Sequence, residues 1–312
     1  MKPSRARIFS WLALFGLLVF LPCLRAETLT IATYNVENYV TADRMVEGTY
    51  RQGYPKPETE KQALRAVIRA LDADVLALEE MGPRPYLEEL QHDLAGDGLA
   101  YPYAEVLEAS DDARHVAVLS RRPFVAVTKH TDLTFPYFGA RETVKRGLLE
   151  VRFATEAGEV TVFIVHLKSR FTDRADDPNS ALRRLGEATA VRDRVLKIFP
   201  EPQTARFLIV GDCNDSAGSK PLRVLAKKGK TEIAKIFLAV DSHGERWTHF
   251  YKKEAIYSGV DHALVSAKLQ AAVVGGAAKI CDKPETAMAS DHRPVVVNLN
   301  LVAAAKLPAS SQ

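Results

Sequence analysis

The chain has 312 residues, 47% of them hydrophobic, which excludes a minimal domain and allows one large α/β unit with a sizeable core. No repeat of fixed period is visible. The formal charge of +3 rests on the N-terminus: the first 26 residues carry Lys2, Arg5, Arg7 and Arg25 and no acid, and without them 38 basic residues face 39 acidic ones. Bulk charge therefore does not mark a nucleic-acid binder, and any phosphate affinity must be local.

Residues 1–26 read as a targeting segment. Lys2, Arg5 and Arg7 form a basic start, Ser10 to Leu21 is apolar, Pro22 breaks the run, and Leu24-Arg25-Ala26 offers a cleavage site before Glu27. The apolar run is short for a bilayer span. Cys23 follows Pro22 and not a small residue, which disfavours lipid attachment. The expectation is export to the periplasm or the medium with removal of the leader; an uncleaved anchor is the alternative. Cys213 and Cys281 are expected as buried free thiols.

A first strand is expected over Glu27 to Tyr34, with Asn35 and Glu37 at its tip. Tyr39 to Pro57 reads as a loop rich in Gly, Tyr and Pro. Leu64, Val67, Ile68 and Leu71 share one face of a helix over Glu58 to Leu71. Ala73 to Met81 is a buried strand ending in Glu79 and Glu80. A helix follows over Pro85 to Leu94, then strands at Ala104 to Val106 and Val116 to Ser120, the latter preceded by Asp112, Arg114 and His115. Phe124 to Lys129 and Gly147 to Phe153 read as strands around a loop holding Tyr137 and Arg141. Glu159 to Val165 is the most β-prone run and ends in His166-Leu167-Lys168-Ser169, whose donors suit a phosphate.

An acidic loop leads to a helix from about Asn179 to Phe199, in which Arg184 and Glu187 can meet as a surface ion pair or support a site. Phe207 to Val210 is apolar without a break and reads as a strand buried on both faces. Gly211 ends it and delivers Asp212, Asn214 and Asp215. Pro221 to Lys228 reads as helical, with Gly229 placed to end it. Trp247 to Tyr251 and Tyr257 to Val265 read as strands, with Asp261 opening the core of the second. Ser290-Asp291-His292-Arg293-Pro294 precedes a last strand, Val295 to Leu301, and the tail from Ala303 carries no packing signal.

Every polar cluster thus sits at a strand end, where α/β folds gather a site. The inventory is oxygen ligands (Asn35, Glu37, Glu80, Asp212, Asn214, Asp261, Asp291) with His166 and His292. There is no Cys/His zinc spacing, no Gly-rich nucleotide loop and no serine elbow. Hard oxygen donors suit Mg²⁺ or Mn²⁺, or Ca²⁺ in a looser cage, and beside histidines they fit hydrolysis of a phosphate ester.

Six motifs in order, Thr33-Tyr34-Asn35-Val36-Glu37-Asn38, Leu76-Ala77-Leu78-Glu79-Glu80, His166-Leu167-Lys168-Ser169, Gly211-Asp212-Cys213-Asn214-Asp215, Gly259-Val260-Asp261-His262 and Ser290-Asp291-His292, resemble the signatures of the endonuclease/exonuclease/phosphatase superfamily. That superfamily includes DNase I-like nucleases, AP endonucleases, sphingomyelinases and inositol-phosphate phosphatases. The resemblance implies a DNase I-like α/β fold, a four-layer sandwich of two packed mixed sheets flanked by helices, here over residues 27–302. It also implies roles. Glu80 is the main metal ligand, with Glu37 and Asn35 close by and Asp291 on the metal side. Asp212 positions or deprotonates the attacking water, Asn214 binds the scissile phosphate, and His292 paired with Asp261 stabilises the transition state. His166 matches the DNase I and sphingomyelinase branches, and Arg114, Lys168 and Ser169 are expected at the substrate phosphate. Arg114 and His115 stand where AP endonucleases place a Tyr, Cys213 replaces an aromatic, and Glu79 replaces a common Gln.

The expected activity is an exported, monomeric, metal-dependent phosphodiesterase, foremost a nuclease on DNA or RNA. Arg114, Arg141, Arg146, Lys168, Arg170 and Arg174 are the basic residues that would serve it. A phosphomonoesterase or lipid phosphodiesterase is the alternative within the fold, with Phe135-Pro136-Tyr137-Phe138 the one apolar patch for a membrane. An inactive binding module is the alternative of another class.

Overall fold

Apolar runs become strands buried on both faces, and they assemble two mixed sheets. The computed structural model describes residues 26–302 apart from 173; the expected leader, except Ala26, and the tail from Ala303 lie outside the described residues. One sheet runs in the order Ala239–Val240, Ala278–Ile280, Val295–Val302, Ala26–Tyr39, Val75–Met81, His115–Ser120, Tyr103–Leu107. The other runs Lys235–Phe237, Asp261–Val265, Phe207–Asp212, Val160–His166, Leu148–Phe153, Ala126–His130. Each has a parallel pair at its centre: Ala26–Tyr39 beside Val75–Met81, and Val160–His166 beside Phe207–Asp212. Parallel neighbours need a crossover, and the helices Glu58–Leu71 and Ala181–Ile198 supply the two.

Side-chain alternation along the strands divides the interior into three apolar layers. Leu29, Ile31, Val75 and Ala77 of the first sheet meet Val151, Val162, Ile164, Leu208 and Val210 of the second. On the outer face of the first sheet, Ala32, Tyr34, Leu76 and Leu78 pack against Leu64, Val67, Ile68 and Leu71 of the helix Glu58–Leu71 and against Leu87, Leu90 and Leu94 of Arg84–Gly96. On the outer face of the second sheet, Phe163, Val165, Phe207 and Ile209 meet Ala188, Val191 and Val195 of Ala181–Ile198. Helix, sheet, sheet, helix is the expected four-layer sandwich. The thiols of Cys213 and Cys281 are free and lie in different layers; Cys213 is buried as expected, whereas Cys281 is only partly buried.

Several local expectations change. The stretch taken as a loop over Tyr39 to Pro57 contains a β-hairpin, Ala42–Val46 against Thr49–Tyr54. Its two-residue turn, Glu47-Gly48, has positive φ at both positions, the geometry that closes a tight hairpin. Thr49–Tyr54 is exposed throughout, so no burial pattern announced it. The loop with Tyr137 and Arg141 likewise folds into a hairpin, Thr134–Tyr137 with Ala140–Thr143. Gly229 does not cap the helix Lys220–Ala226. It sits in the turn between Lys227–Lys228 and Thr231–Glu232, with φ +58°. The first strand runs on to Tyr39, carrying Asn35 and Glu37 within it.

Gly211 holds the strand pair under the site together. Its φ is +139°, and a Cβ there would stand 1.9 Å from the backbone oxygen of Val165 on the parallel neighbour. Gly211→Ala is expected to destabilise the fold by about 3 kcal/mol or more, since strained backbone and overpacking each cost about 1–3 kcal/mol. Guanidinium unfolding measures this; a midpoint equal to the parent's would overturn the close-approach argument.

Candidate active site

Three strand ends lie level in the second sheet, His166 opposite Asp212 and Asp212 opposite Asp261. Asn35 comes from the first sheet and donates from Nδ2 to Asp212 Oδ2 at 3.0 Å. The other Asp212 oxygen accepts from the backbone N–H of Asn214 at 2.8 Å. His292 is oriented through Nδ1, 2.9 Å from Asp261 Oδ2, and Ser290 Oγ accepts from its N–H at 3.0 Å while donating to the carbonyl of Asn35 at 2.8 Å. The other ring nitrogen, Nε2, lies 3.9 Å from both Asp212 Oδ2 and Asp291 Oδ1. His166 Nε2 stands 3.6 Å from Asp212 Oδ2 and 3.9 Å from Glu80 Oε1. Glu80 Oε2 accepts from the N–H of Asn38 at 3.1 Å, and Glu37 Oε2 from the N–H of Asp291 at 3.0 Å.

Two histidines in one site take opposite charge states. Burial alone would lower the His292 pKa, but Asp261, then Asp212 and Asp291, outweigh it and hold the imidazole well above its ordinary value. His166 goes the other way: burial pushes it well below, and Arg146, His292, Arg114 and Lys168 add to the push. Asp212 is pushed up to about 7, by burial first and Asp261 second, against the pull of His292. Glu79 lies inward, behind the cluster and beside Asn35 in register. Buried and raised well above the carboxylate range, it is a neutral acid that accepts from Thr33 Oγ1 at 2.6 Å.

The oxygen side of the site fits a hard divalent cation. Glu37 and Glu80 each place one oxygen on a backbone N–H and leave Oε1 without a hydrogen bond among the described residues. Burial and then the charge of Asp291 raise the Glu37 pKa, a repulsion that a cation between them would relieve. Two tighter groupings of ligand atoms, Asp212 with Asp261 and His292, and His249 with Asp291 and His292, lie within 4.8 Å. In both, His292 is tied to Asp261 through Nδ1, and the open Oε1 atoms of Glu37 and Glu80 lie outside both groupings.

All nine residues expected to be catalytic or metal-binding therefore converge, together with Arg114, whose Nε donates to Asn38 Oδ1 at 2.7 Å and lies 3.8 Å from Glu80 Oε2. Asn214 differs in detail: its amide donates to the Leu167 carbonyl at 3.0 Å and to Asp212 Oδ2 at 3.1 Å, so as placed it steadies Asp212 and a phosphate would have to displace one bond. Lys168 Nζ donates to the carbonyl and hydroxyl of Ser169 and to the carbonyl of Phe171. Arg184 and Glu187 do not pair with each other. Arg184 bonds Asp215 and the Lys168 carbonyl, Glu187 accepts from the Lys168 N–H at 2.7 Å, and both buried side chains fix the loop after His166.

Sequence reasoning missed two residues at the reacting centre, and Lys145, Phe171 and Arg183 in the cleft beside it. His249 lies 3.7 Å from Asp291 Oδ2 with its ring 4.5 Å from that of His292, and buried Lys56 donates to the Glu37 carbonyl at 3.2 Å. Neither carries a motif; only the hairpins that bring them in reveal them.

A model of the Endonuclease/Exonuclease/phosphatase family matches residues 32–292. No curated protein matches the chain by sequence. Among solved structures, the chain is similar to a beta toxin variant from Staphylococcus aureus with bound magnesium ions (TM-score 0.60, 14% identity, covering 87% of this chain and 99% of that one). It is also similar to sphingomyelinase C from Streptomyces griseocarneus (0.58, 17%, 88% and 100%) and to an endonuclease/exonuclease/phosphatase family protein from Bacteroides thetaiotaomicron (0.56, 16%, 88% and 98%). At these identities the likeness is one of fold.

Asp212 keeps its proton to about pH 7 when folded but ordinarily only to 3.8. The folded state then holds the extra proton between those values, and this contribution to stability falls as pH rises through the window. Asp212→Asn carries no such proton. In EDTA it is expected to gain roughly 2 to 4 kcal/mol relative to the parent between pH 4 and pH 7, measured by denaturant titration. A relative stability that stays flat or falls would overturn the assignment.

Proposed function

The chain belongs to the Endonuclease/Exonuclease/phosphatase family, and from that premise we propose an exported, monomeric, Mg²⁺-dependent phosphodiesterase that cleaves nucleic acid. The family depends on a divalent metal and the chain is a phosphoric ester hydrolase. Asn35, Glu37, Glu80 and Asp291 would hold the ion, which when bound offsets the charge developing on the phosphoryl oxygens. Asp212, held by Asn35 and Asn214, orients the attacking water and takes its proton, a task suited to a group near pKa 7. The cationic His292 presents Nε2–H to the phosphoryl or leaving oxygen while Asp261 fixes its ring. Neutral His166 stands over Asp212 as a second hydrogen-bonding nitrogen.

The observation that carries the nucleic-acid reading is a cleft of about 690 Å³ that opens at Glu80 and His166 and is lined by Arg114, Lys145, Arg146, Lys168 and Arg183. Five basic residues against Glu80, Asp111 and Asp112 leave the cleft net basic, which suits a substrate with further phosphates along its backbone. Export rests on the leader-like start of the sequence. Among the described residues no helix is long and apolar enough to cross a membrane.

The lipid reading has one observation in its favour, an apolar groove of about 310 Å³ between the hairpin Thr134–Tyr137 with Ala140–Thr143 and the helix Ala181–Ile198. Phe135 and Tyr137 are buried in it, however, and Phe138 is the one aromatic that the hairpin exposes.

Plasmid DNA, RNA, bis-p-nitrophenyl phosphate, p-nitrophenyl phosphate and sphingomyelin, each with Mg²⁺, Mn²⁺ or Ca²⁺, form the test. Diester cleavage of nucleic acid is expected, abolished by EDTA and reduced about 100- to 10,000-fold in Asp212→Ala and His292→Ala. Preference for the monoester or for sphingomyelin would replace the nuclease reading, and metal-independent binding without turnover would leave a binding module.

A further inference from the structure

The cleft beyond the reacting centre is built to hold something. Arg146 is 7% exposed, yet neither its Nε nor its Nη1 has a hydrogen-bond partner. Nε lies 2.9 Å from Asp111 Oδ2, an ion pair without hydrogen-bond alignment. Because Nε and Nη1 are closed to solvent, Arg146 would act on an anion in the cleft through its incompletely neutralised charge and not through those two donors. At the mouth stands Phe171, 79% exposed. Its backbone is pinned from two sides, because its carbonyl accepts from Ser180 Oγ at 2.9 Å and from Lys168 Nζ. The chain thus fixes the position of Phe171 while leaving its ring in water, with the Lys168 ammonium 5.7 Å from the ring centroid. An anchored, solvent-facing aromatic among cations offers a π-face and a charge to one ligand.

Resting on the nuclease reading above, we propose that this cleft takes the nucleotide next to the scissile phosphate of a single-stranded nucleic acid, its phosphate between Arg146 and Lys168 and its base stacked on Phe171. A base inside a duplex has neighbours on both faces and cannot lie on the ring, so the subsite selects unpaired strands. A membrane is the poorer occupant: the walls around Phe171 are cationic and polar, and the apolar groove is lined by other residues.

The test compares parent, Phe171→Ala and Phe171→Trp on a single-stranded oligonucleotide, the same sequence as duplex, and bis-p-nitrophenyl phosphate, which has no second nucleotide and normalises each variant's chemistry. The parent should favour the single strand. Phe171→Ala should raise the single-strand KM about 5- to 150-fold, the equivalent of the usual 1–3 kcal/mol per stacked base, and erase the preference over duplex. Phe171→Trp should restore it, and an adjacent 2-aminopurine should be quenched by the parent and not by Phe171→Ala. Equal KM values for parent and Phe171→Ala, or equal losses on single strand and duplex, would overturn the subsite while leaving the nuclease reading intact. Loss of sphingomyelin-vesicle binding in Phe171→Ala, with oligonucleotide KM unchanged, would assign the ring to a lipid surface instead. Turnover of bis-p-nitrophenyl phosphate without cleavage of either oligonucleotide would sink both.

Discussion

The hydrogen bond from Asn35 Nδ2 to Asp212 Oδ2 joins the two sheets where the chemistry lies. Asn35 belongs to one sheet and Asp212 to the other, and the apolar layer between them ends at this contact. A carboxylate as buried as Asp212 cannot stay ionised on its own. It needs the Asn35 amide from across the interface, the Asn214 N–H from its own turn and the nearby imidazolium of His292. Separate the sheets by an ångström or two and the acid loses a donor that its own sheet does not replace. The packing of Leu29 and Ile31 against Leu208 and Val210 therefore serves the site directly, because it sets the distance across which Asn35 reaches.

Charge is sorted across the site. Asp261, Asp212 and Asp291 surround His292 on one side, whereas Arg146, Arg114 and Lys168 face His166 on the other. The same side chain is thereby a cation in one place and a neutral base in the other, about one carboxylate apart. Burial first and Arg146 second push the Lys168 pKa down to about 8, against the pull of Glu187. Arg146 and Lys168 thus repel each other in the cleft before any substrate arrives, and an anion between them relieves that repulsion.

What was legible in the sequence was the part written in periodicity. Phe207 to Val210 could only be a strand buried twice over, and Leu64, Val67, Ile68 and Leu71 could only be one helical face. Polar residues placed just after such runs, as in Asp212 or His166, had to emerge at strand ends, and the fold brings them together as their motifs implied. What periodicity does not encode was missed. The Ala42–Val46 and Thr49–Tyr54 hairpin buries too little to show a pattern, and its signal was the turn pair Glu47-Gly48 alone. His249 reaches Asp291 because a short hairpin, His249–Tyr251 with Ile256–Ser258, folds back on the loop before the last strand. Arg184 and Glu187 sit one turn apart and looked like an ion pair, but each found a stronger partner in the loop after His166, 16 to 19 residues away in sequence.

Backbone strain marks the same place as the side chains. Of the ten described non-glycine residues with positive φ, four are Glu37, Asn38, Glu80 and Asn214, and all four touch the reacting centre. A regular strand would alternate its side chains, sending Glu79 and Glu80 to opposite faces at fixed angles. Here the pairing of Ala26–Tyr39 with Val75–Met81 slips between Asn35 and Tyr39, and that of Val75–Met81 with His115–Ser120 slips between Leu78 and Met81. The irregularity lets Glu80 turn its carboxylate to the N–H of Asn38 and toward His166, while Glu79 keeps the regular inward direction and ends as a buried neutral acid behind the site. Each left-handed residue costs of order 1 kcal/mol, and the regular ladders on either side supply the rigidity that holds it. The sheets are regular where they bear the packing and irregular where they aim ligands, so a substitution that relaxed Glu80 into ordinary strand geometry would improve the sheet and misdirect the carboxylate.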